Sequence, residues 1–266
     1  MLTRHDTNNL DTGADPTSLA PSGESERHAR RSPYRRAAMA VGALYIAGDI
    51  AGVLGRTVTS GLFKEPDYLS RIAAHQNRLV IGALCVLAMG LFLAAIPMVM
   101  YPIFRKHNPV LATGYVVVRG ALETVTYIAL ATAWLLLVAL SRDYATSGSH
   151  DTAPFATVGR LLIKAQGSIG PDMTAIVFSL GALTFAYLLY RTRLIPRWLS
   201  IWGLTGAVAY LAAPLLSLFD HSTGILMAPL AVQEIVLAVW LIARGFDATS
   251  VPTTTALTSE RVRDVS

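Results

Sequence analysis

Four ionisable side chains lie inside long apolar stretches of this sequence, and these are the residues best placed to do chemistry. They are Asp49, Arg119, Glu123 and Glu234. A charge inside a bilayer costs about 2.5–3.5 kcal/mol on insertion scales unless it is paired or hydrated. These residues therefore indicate either a structural polar network or a site that handles protons, ions or a ligand.

Two of the four charges belong to a polar stripe on the third apolar stretch. Tyr115, Arg119, Glu123 and Tyr127 recur every four residues, so they share one face of a helix. Arg119 and Glu123 are predicted to pair along this helix. The stripe must face the interior of a helical bundle or a water-filled cavity.

The sixth and first apolar stretches carry the other candidates. Gln233 and Glu234 lie near the middle of the sixth stretch, and we expect them to join Arg119 and Glu123 in one polar centre. In the first stretch Tyr45, Asp49 and Arg56 share a helical face, which predicts a looser partnership of Asp49 with Arg56 as a secondary feature.

Glycines in the first stretch indicate close helix packing. Gly48 and Gly52 form a small-xxx-small pattern, which lets a neighbouring membrane helix approach closely.

The charges within the spans do not balance. Three carboxylates against one guanidinium would leave a net charge of −2 if all were ionised. Two unpaired carboxylates are costly in a low dielectric, so one or more is protonated, or a cation or water fills the gap.

These residues support three hypotheses, of which a structural or regulatory charge network is favoured. The alternative is a small-solute or proton-coupled transporter, or a ligand-binding membrane protein, in which Arg119 holds an anion while Glu123 and Glu234 handle protons or cations. An intramembrane enzyme ranks third, because the sequence has no phosphate-binding glycine loop, no HExxH, no GxSxG and no convincing nucleophile. No metal site or cofactor is predicted, and Cys85 is the only cysteine.

The elements that must position these residues are apolar helices. Of the 266 residues, 53% are hydrophobic and only 15% are charged, which is typical of a polytopic membrane protein. We predict an all-α bundle of six transmembrane helices, with kinks at internal prolines such as Pro214 and Pro229. The predicted spans are residues 37–55, 79–101, 111–140, 170–190, 198–219 and 224–243, each bound being approximate.

Loop charges predict the orientation. If the N-terminus is inside, the inner segments hold fourteen Lys and Arg residues and the outer segments hold seven. This asymmetry follows the positive-inside rule, so we predict a bacterial inner-membrane protein with both termini cytoplasmic. The net charge of +5 then reflects topology rather than nucleic-acid binding.

Several segments lie outside the spans. Residues 67–78 and 155–169 are predicted to form short amphipathic helices in the outer connections; in the second, Val158, Leu161, Leu162, Ala165 and Ile169 share the apolar face.

The polar tails at residues 1–33 and 247–266 are predicted to be disordered, flanking a transmembrane domain at 34–246. Besides the bilayer itself, anionic lipid is a predicted partner of the basic cluster Arg27, Arg30, Arg31, Arg35 and Arg36. The oligomeric state is left open.

Several segments resemble a known family. LIPRWLSIWGLTGA (194–207), VRGALE (118–123), PDYLSRIAAHQNRLVIGAL (66–84) and LAVQEIVLAVWLIARGF (230–246) are similar to the bacterial membrane proteins classed as domain of unknown function 4386. The resemblance covers about residues 34–246. It implies a bundle of six or seven spans, no established activity or cofactor, and a place for Arg119, Glu123 and Glu234 in the family pattern. Asp49 has no counterpart in that pattern.

Overall fold

A computed structural model describes residues 23–64, 67–147, 153–219, 221 and 224–247, and the side chains from residue 34 onward. This part of the chain is helical, without strands, and six of its helices are long and apolar enough to cross a membrane. The predicted class, an all-α membrane bundle with six spanning helices, is confirmed. Of the tails predicted at 1–33 and 247–266, residues 1–22 and 248–266 lie outside the described residues.

Nine α-helices make up the described part of the chain. The described chain contains α1 (Gly23–Thr59), α2 (Tyr68–Ala74), α3 (Gln76–Phe104), α4 (Pro109–Tyr115), α5 (Glu123–Thr146), α6 (Ala153–Lys164), α7 (Gly170–Thr192), α8 (Arg197–Ser217) and α9 (Ala228–Ala243). The six spans are Tyr34–Thr59, Gln76–Phe104, Pro109–Thr146, Ala153–Thr192, Arg197–Ser217 and Gly224–Ala243.

The first helix begins earlier than the sequence predicts. Residues 23–33, placed in a disordered tail by their polarity, continue α1 toward its N-terminus. The segment holds two Glu and three Arg, which have high helix propensity, and extending an existing helix costs far less than nucleating one.

The third span is one continuous helical rod with a wide turn inside it. A π-helical segment, Val116–Leu122, joins α4 to α5 and contains Arg119. In an α-helix a four-residue repeat drifts around the axis, because one turn takes 3.6 residues. The wider turn counteracts this drift and keeps the polar stripe on one side of the rod.

The fourth span differs from its prediction. Residues 155–169, expected as a separate short helix, run directly into α7 through a second π-helical segment, Ala165–Ile169. That segment ends just before Pro171, which cannot donate a backbone hydrogen bond to the preceding turn. The wide turn is a way for the helix to continue past this missing bond.

The predicted apolar face of the 155–169 segment is also wrong in part. Val158, Leu161 and Ile169 are exposed, whereas Gly159 is buried against the ring of Tyr68. A helix that continues a membrane span can present apolar side chains outward, so apolar spacing does not reveal which face packs inward. By contrast, the short helix α2 buries Leu69 and Ile72, as an amphipathic helix docked on a bundle should.

Prolines have unequal effects. Pro97, Pro102 and Pro214 lie within helices, whereas Pro229 lies in the first turn of α9, after a 3₁₀ turn at Gly224–Met227. A kink within the sixth span was therefore predicted at a position where proline starts a helix instead.

Small residues bring the helices together around α1. Cβ atoms added at Gly48 and Gly52 would lie 3.1 Å from Leu93 Cδ2 and 2.7 Å from Met89 Sδ, so this pair of glycines accommodates α3. On another face, a Cβ at Gly42 would lie 2.7 Å from the Ala238 carbonyl oxygen of α9. These close approaches set α1 between α3 and α9.

One end of the bundle is formed by the first described side chains of α1, the α3–α4 and α7–α8 connections and the end of α9. We call it the basic end, because it carries Arg35, Arg36, Arg105, Lys106, Arg191, Arg193, Arg197 and Arg244. Two of its exposed arginines lie over aromatic rings near the helix ends. Arg105 Cζ lies 5.9 Å from the centre of the Tyr101 ring, and Arg244 Cζ lies 5.5 Å from the centre of the Trp240 ring. The Asp247 amide donates to the Leu194 carbonyl (2.9 Å), which ties the end of the sixth span to the connection between α7 and α8.

Candidate functional site

Arg119 lies at the centre of the bundle and faces two carboxylates. Its side chain is 1% exposed; Nη1 lies 3.4 Å from Glu123 Oε2 and Nη2 donates to Glu234 Oε1 at 3.4 Å. The structure thus brings the third and sixth spans together through one guanidinium. Both distances fall well inside the roughly 8 Å beyond which no direct ion pair forms.

Glu123 is fully buried and has a second partner. Tyr127 donates its hydroxyl to Glu123 Oε1 at 2.9 Å, one turn further along α5. The ring of Tyr127 packs against α3, where a Cβ added at Gly90 would lie 3.0 Å away. Glu123 therefore faces one cation and one hydroxyl donor in a closed environment.

Aromatic rings cover the remaining surface of the guanidinium. Arg119 Cζ lies 4.5 Å from the centre of the Phe178 ring and 5.7 Å from that of Tyr45. On the fourth span, a Cβ added at Gly181 would lie 3.0 Å from Arg119 Cδ, so only glycine leaves room for the arginine stem. Cation–π contacts gain strength when both partners are desolvated, as they are here.

Tyr115, a predicted member of the stripe, serves a different purpose. Its ring stacks on Phe185 with 5.3 Å between the centres and meets Phe104 edge-on at 5.9 Å. Its hydroxyl is buried and makes no hydrogen bond within the described part of the chain. Tyr115 thus packs an aromatic layer beside the charges without binding them.

The Glu234 side of the centre is more open. The Glu234 side chain is 14% exposed and borders a cavity of about 10 Å³ that is also lined by Tyr45, Gln233 and Ser200. A space of this size holds at most a single water molecule. Gln233, predicted beside Glu234, turns to α8 instead, where Nε2 donates to the Leu199 carbonyl at 3.3 Å.

The secondary pair does not form a bond. Asp49 and Arg56 are both exposed, and no ion pair joins them in the part of the chain that the structure describes. Asp49 instead lies within electrostatic range of Arg119 and Glu234. Seven residues separate Asp49 from Arg56, so about 10 Å of helix lies between them.

A family model matches most of the chain. The family described as "Domain of unknown function (DUF4386)" matches residues 40–245. The chain belongs to this family. The resemblance seen in the sequence is confirmed. No curated protein and no solved structure matches the chain.

The DUF4386 assignment carries no activity, so the chemistry must come from the residues. The four predicted charges are all within the matched range, and Arg119, Glu123 and Glu234 form the only ion pairs in the described residues. Among the same residues, no three His, Cys, Asp or Glu side chains are grouped as metal ligands would be. These residues can therefore bind protons, water or an ion, or they can hold the helices together.

Sequence reasoning missed three neighbours of this DUF4386 centre. Phe178 and Gly181 of the fourth span contact Arg119, and Ser200 of α8 lines the cavity beside Glu234. In sequence, a phenylalanine or glycine in an apolar span is indistinguishable from ordinary packing. Ser200 gave no signal either, because serines near helix ends are common in membrane spans.

Proposed function

We propose that this DUF4386 protein is a multi-pass protein of a bacterial inner membrane whose polar centre is a structural charge network. In this proposal Arg119 and Glu123 form a buried, neutral pair, and Arg119 also binds Glu234 of the sixth span. The observation that carries it is the single guanidinium, 1% exposed, within 3.4 Å of carboxylates on two spans.

The packing around the network supports a structural role over ligand binding. Phe178 and Tyr45 cover the guanidinium, and the bordering cavity of about 10 Å³ has no room for a solute. A transporter or receptor would hold its ligand in a larger space in at least one conformation. The centre described here is filled by the protein itself.

The decisive experiment measures unfolding of purified protein in mixed micelles titrated with SDS. Arg119→Gln should lose about 3–5 kcal/mol, because two carboxylates are left buried without their cation. The double variant Arg119→Gln with Glu123→Gln should recover more than half of that loss, since it also removes the fully buried orphan. Arg56→Gln, at an exposed position, is the matched control and should unfold like the wild type.

Flux measurements separate this function from the rival one. If the centre drives proton-coupled transport, Arg119→Lys keeps the charge and the fold but abolishes proton flux in proteoliposomes. The structural proposal expects the same flux from wild type, Arg119→Lys and empty liposomes. A proton flux that the wild type shows and Arg119→Lys lacks, at equal stability, would overturn it.

We also propose that the basic end faces the cytoplasm and contacts anionic lipid. Arg35 and Arg36 are exposed there, next to the C-terminal connection, while the side chains of Arg27, Arg30 and Arg31 lie outside the described ones. In a Cys85→Ser background, an impermeant maleimide added to intact cells should label Ser60→Cys but not His107→Cys. Labelling of His107→Cys alone would reverse the orientation.

A further inference from the structure

The charges at the centre leave two carboxylates without a balancing cation. Arg119 and Glu123 form a buried pair of opposite charges on one helix. Glu234 shares Arg119 but adds a second negative charge, and Asp49 adds a third within electrostatic range. If all four were ionised, the described centre would carry −2, and the excess belongs to Asp49 and Glu234.

These two carboxylates lie close to the same depth in the membrane. Gly42 of α1 packs against Ala238 of α9, and the two helices run in opposite directions. Counted away from the basic end, Asp49 is seven residues beyond Gly42 on α1, and Glu234 is four residues beyond Ala238 on α9. At 1.5 Å per residue, Asp49 is only about 5 Å further from the basic end than Glu234.

Asp49 faces the lipid side of the seam between α1 and α9. It is exposed, and so are its neighbours Ile50 (55%) and Val53 (63%), whose side chains only acyl chains can solvate. Within the described residues, no hydrogen bond or ion pair holds the Asp49 carboxylate. An ionised carboxylate at this depth is costly, so Asp49 requires a positive partner from outside the described side chains.

A second, independent observation points to an occupant on the Glu234 side. The Ser200 hydroxyl is 1% exposed, has no hydrogen-bond partner among the described residues, and lines the same cavity as Glu234. A buried polar group without a partner requires an explanation, and one water bridging Ser200 to Glu234 provides it. Ser200 lies in the first turn of α8, so this cavity extends from Glu234 toward the basic end.

Other partners for the two carboxylates fit less well. A second copy of the chain would need small residues on α1 for close approach, but Gly48 and Gly52 are already filled by Leu93 and Met89 of α3. A metal cation needs several oxygen ligands in a shell, whereas a proton needs a single carboxylate oxygen.

We propose that Asp49 and Glu234 form a proton-binding pair that opens to the bilayer along the seam between α1 and α9. Glu234 belongs to both the pair and the structural network, but the network needs only Arg119 and Glu123 to be ionised. A protonated Glu234 still accepts the bond from Arg119 through its carbonyl oxygen. The titratable or charged groups around the pair are Tyr45, Tyr115, Arg119, Glu123, Tyr127 and Tyr210.

The test uses the hydrophobic reagent dicyclohexylcarbodiimide on the full-length protein in lipid nanodiscs, followed by peptide mass spectrometry. The reagent reacts with a protonated carboxyl: the acid proton moves to a carbodiimide nitrogen and the carboxylate oxygen adds to the central carbon. The O-acylisourea rearranges to a stable N-acylurea, so one reagent molecule is added and nothing leaves. We expect the adduct on Asp49, with less on Glu234 and none on Glu123.

The dependence on pH identifies the proton. Labelling of Asp49 should fall at least tenfold as the pH is raised, because only the protonated form reacts. In Glu234→Gln the fall should occur at lower pH, since one of two like charges is gone. Asp49→Asn should lose the main adduct while keeping the wild-type elution volume and SDS unfolding midpoint.

Each remaining outcome decides against the pair. Labelling of Asp49 no greater than that of Glu123 at every pH would show that Asp49 is not a protonated, lipid-facing acid. Protection of Asp49 by sodium at constant pH would assign the site to a metal cation. An unchanged Asp49 profile in Glu234→Gln would show that the two carboxylates do not share a site. None of these results affects the unfolding test of the Arg119–Glu123 network, which stands or falls separately.

Discussion

Glu123 and Glu234 share one arginine but have different surroundings. Glu123 is fully buried, accepts the Tyr127 hydroxyl and lies on the same helix as its cation. Glu234 is partly exposed, borders a cavity and has a further carboxylate, Asp49, within electrostatic range. For these identical side chains at equal distances from Arg119 we therefore propose different roles: Glu123 stays ionised, and Glu234 takes up a proton.

The largest difference between the two carboxylates should appear on neutralising each in turn. Glu123→Gln should cost about 3–5 kcal/mol, because it leaves Arg119 buried beside a neutral amide. Glu234→Gln should cost no more than about 1–2 kcal/mol, since an amide oxygen can still accept from Arg119. The measurement is the free energy of unfolding in SDS-titrated mixed micelles. Equal losses for the two variants would erase the proposed distinction.

The hydroxyl of Tyr127 should matter more than that of Tyr115, although both tyrosines belong to the same stripe. Tyr127→Phe removes a hydrogen bond to a buried charge and should cost about 1.5–3 kcal/mol. Tyr115→Phe removes a hydroxyl that has no partner among the described residues, so it should be neutral or slightly stabilising. The two variants lose the same single atom, which makes each the control for the other. The prediction fails if Tyr115→Phe proves the more harmful.

The fold could be predicted because each span is long and continuously apolar. The polar stripe could be predicted because its residues recur every four positions, which places them on one face of a helix. The sequence also predicted that Arg119, Glu123 and Glu234 would meet, since charges in lipid have few other options. Residues that are adjacent in the sequence nevertheless point in different directions around the helix axis. Gln233 and Glu234 are neighbours, yet one turns to α8 and the other to Arg119.

Other features depend on packing that one sequence does not reveal. In an ordinary soluble helix an exposed face is polar, but in a membrane both faces are apolar, so the packed face of residues 155–169 was misassigned. Asp49 was paired with Arg56 because they share a helical face, whereas the groups within range of it belong to other helices.

Packing around the arginine stem gives the next test. Gly181→Ala places a methyl group 3.0 Å from Arg119 Cδ and should destabilise the protein by about 1–3 kcal/mol, because the stem is enclosed on every side. Gly114→Ala lies on the same side of the membrane centre in open space, and alanine there should stabilise the helix by up to about 1 kcal/mol. Equal effects at the two glycines would show that the enclosure around Arg119 yields easily, which would weaken the structural proposal.

The smallest expected effect tests whether the Glu234 side is wet. If one water bridges Ser200 to Glu234, Ser200→Ala removes one of its partners and should cost about 0.5–1.5 kcal/mol. A dry cavity predicts the opposite sign, because the variant would then remove a buried hydroxyl that lacks a hydrogen bond. Ser179→Ala is the matched control: its hydroxyl is equally buried but bonds the Ala175 carbonyl of its own helix, so its loss reports only local helix energetics. A stabilised Ser200→Ala would make the surroundings of Glu234 as dry as those of Glu123, and hydration would no longer distinguish the two carboxylates.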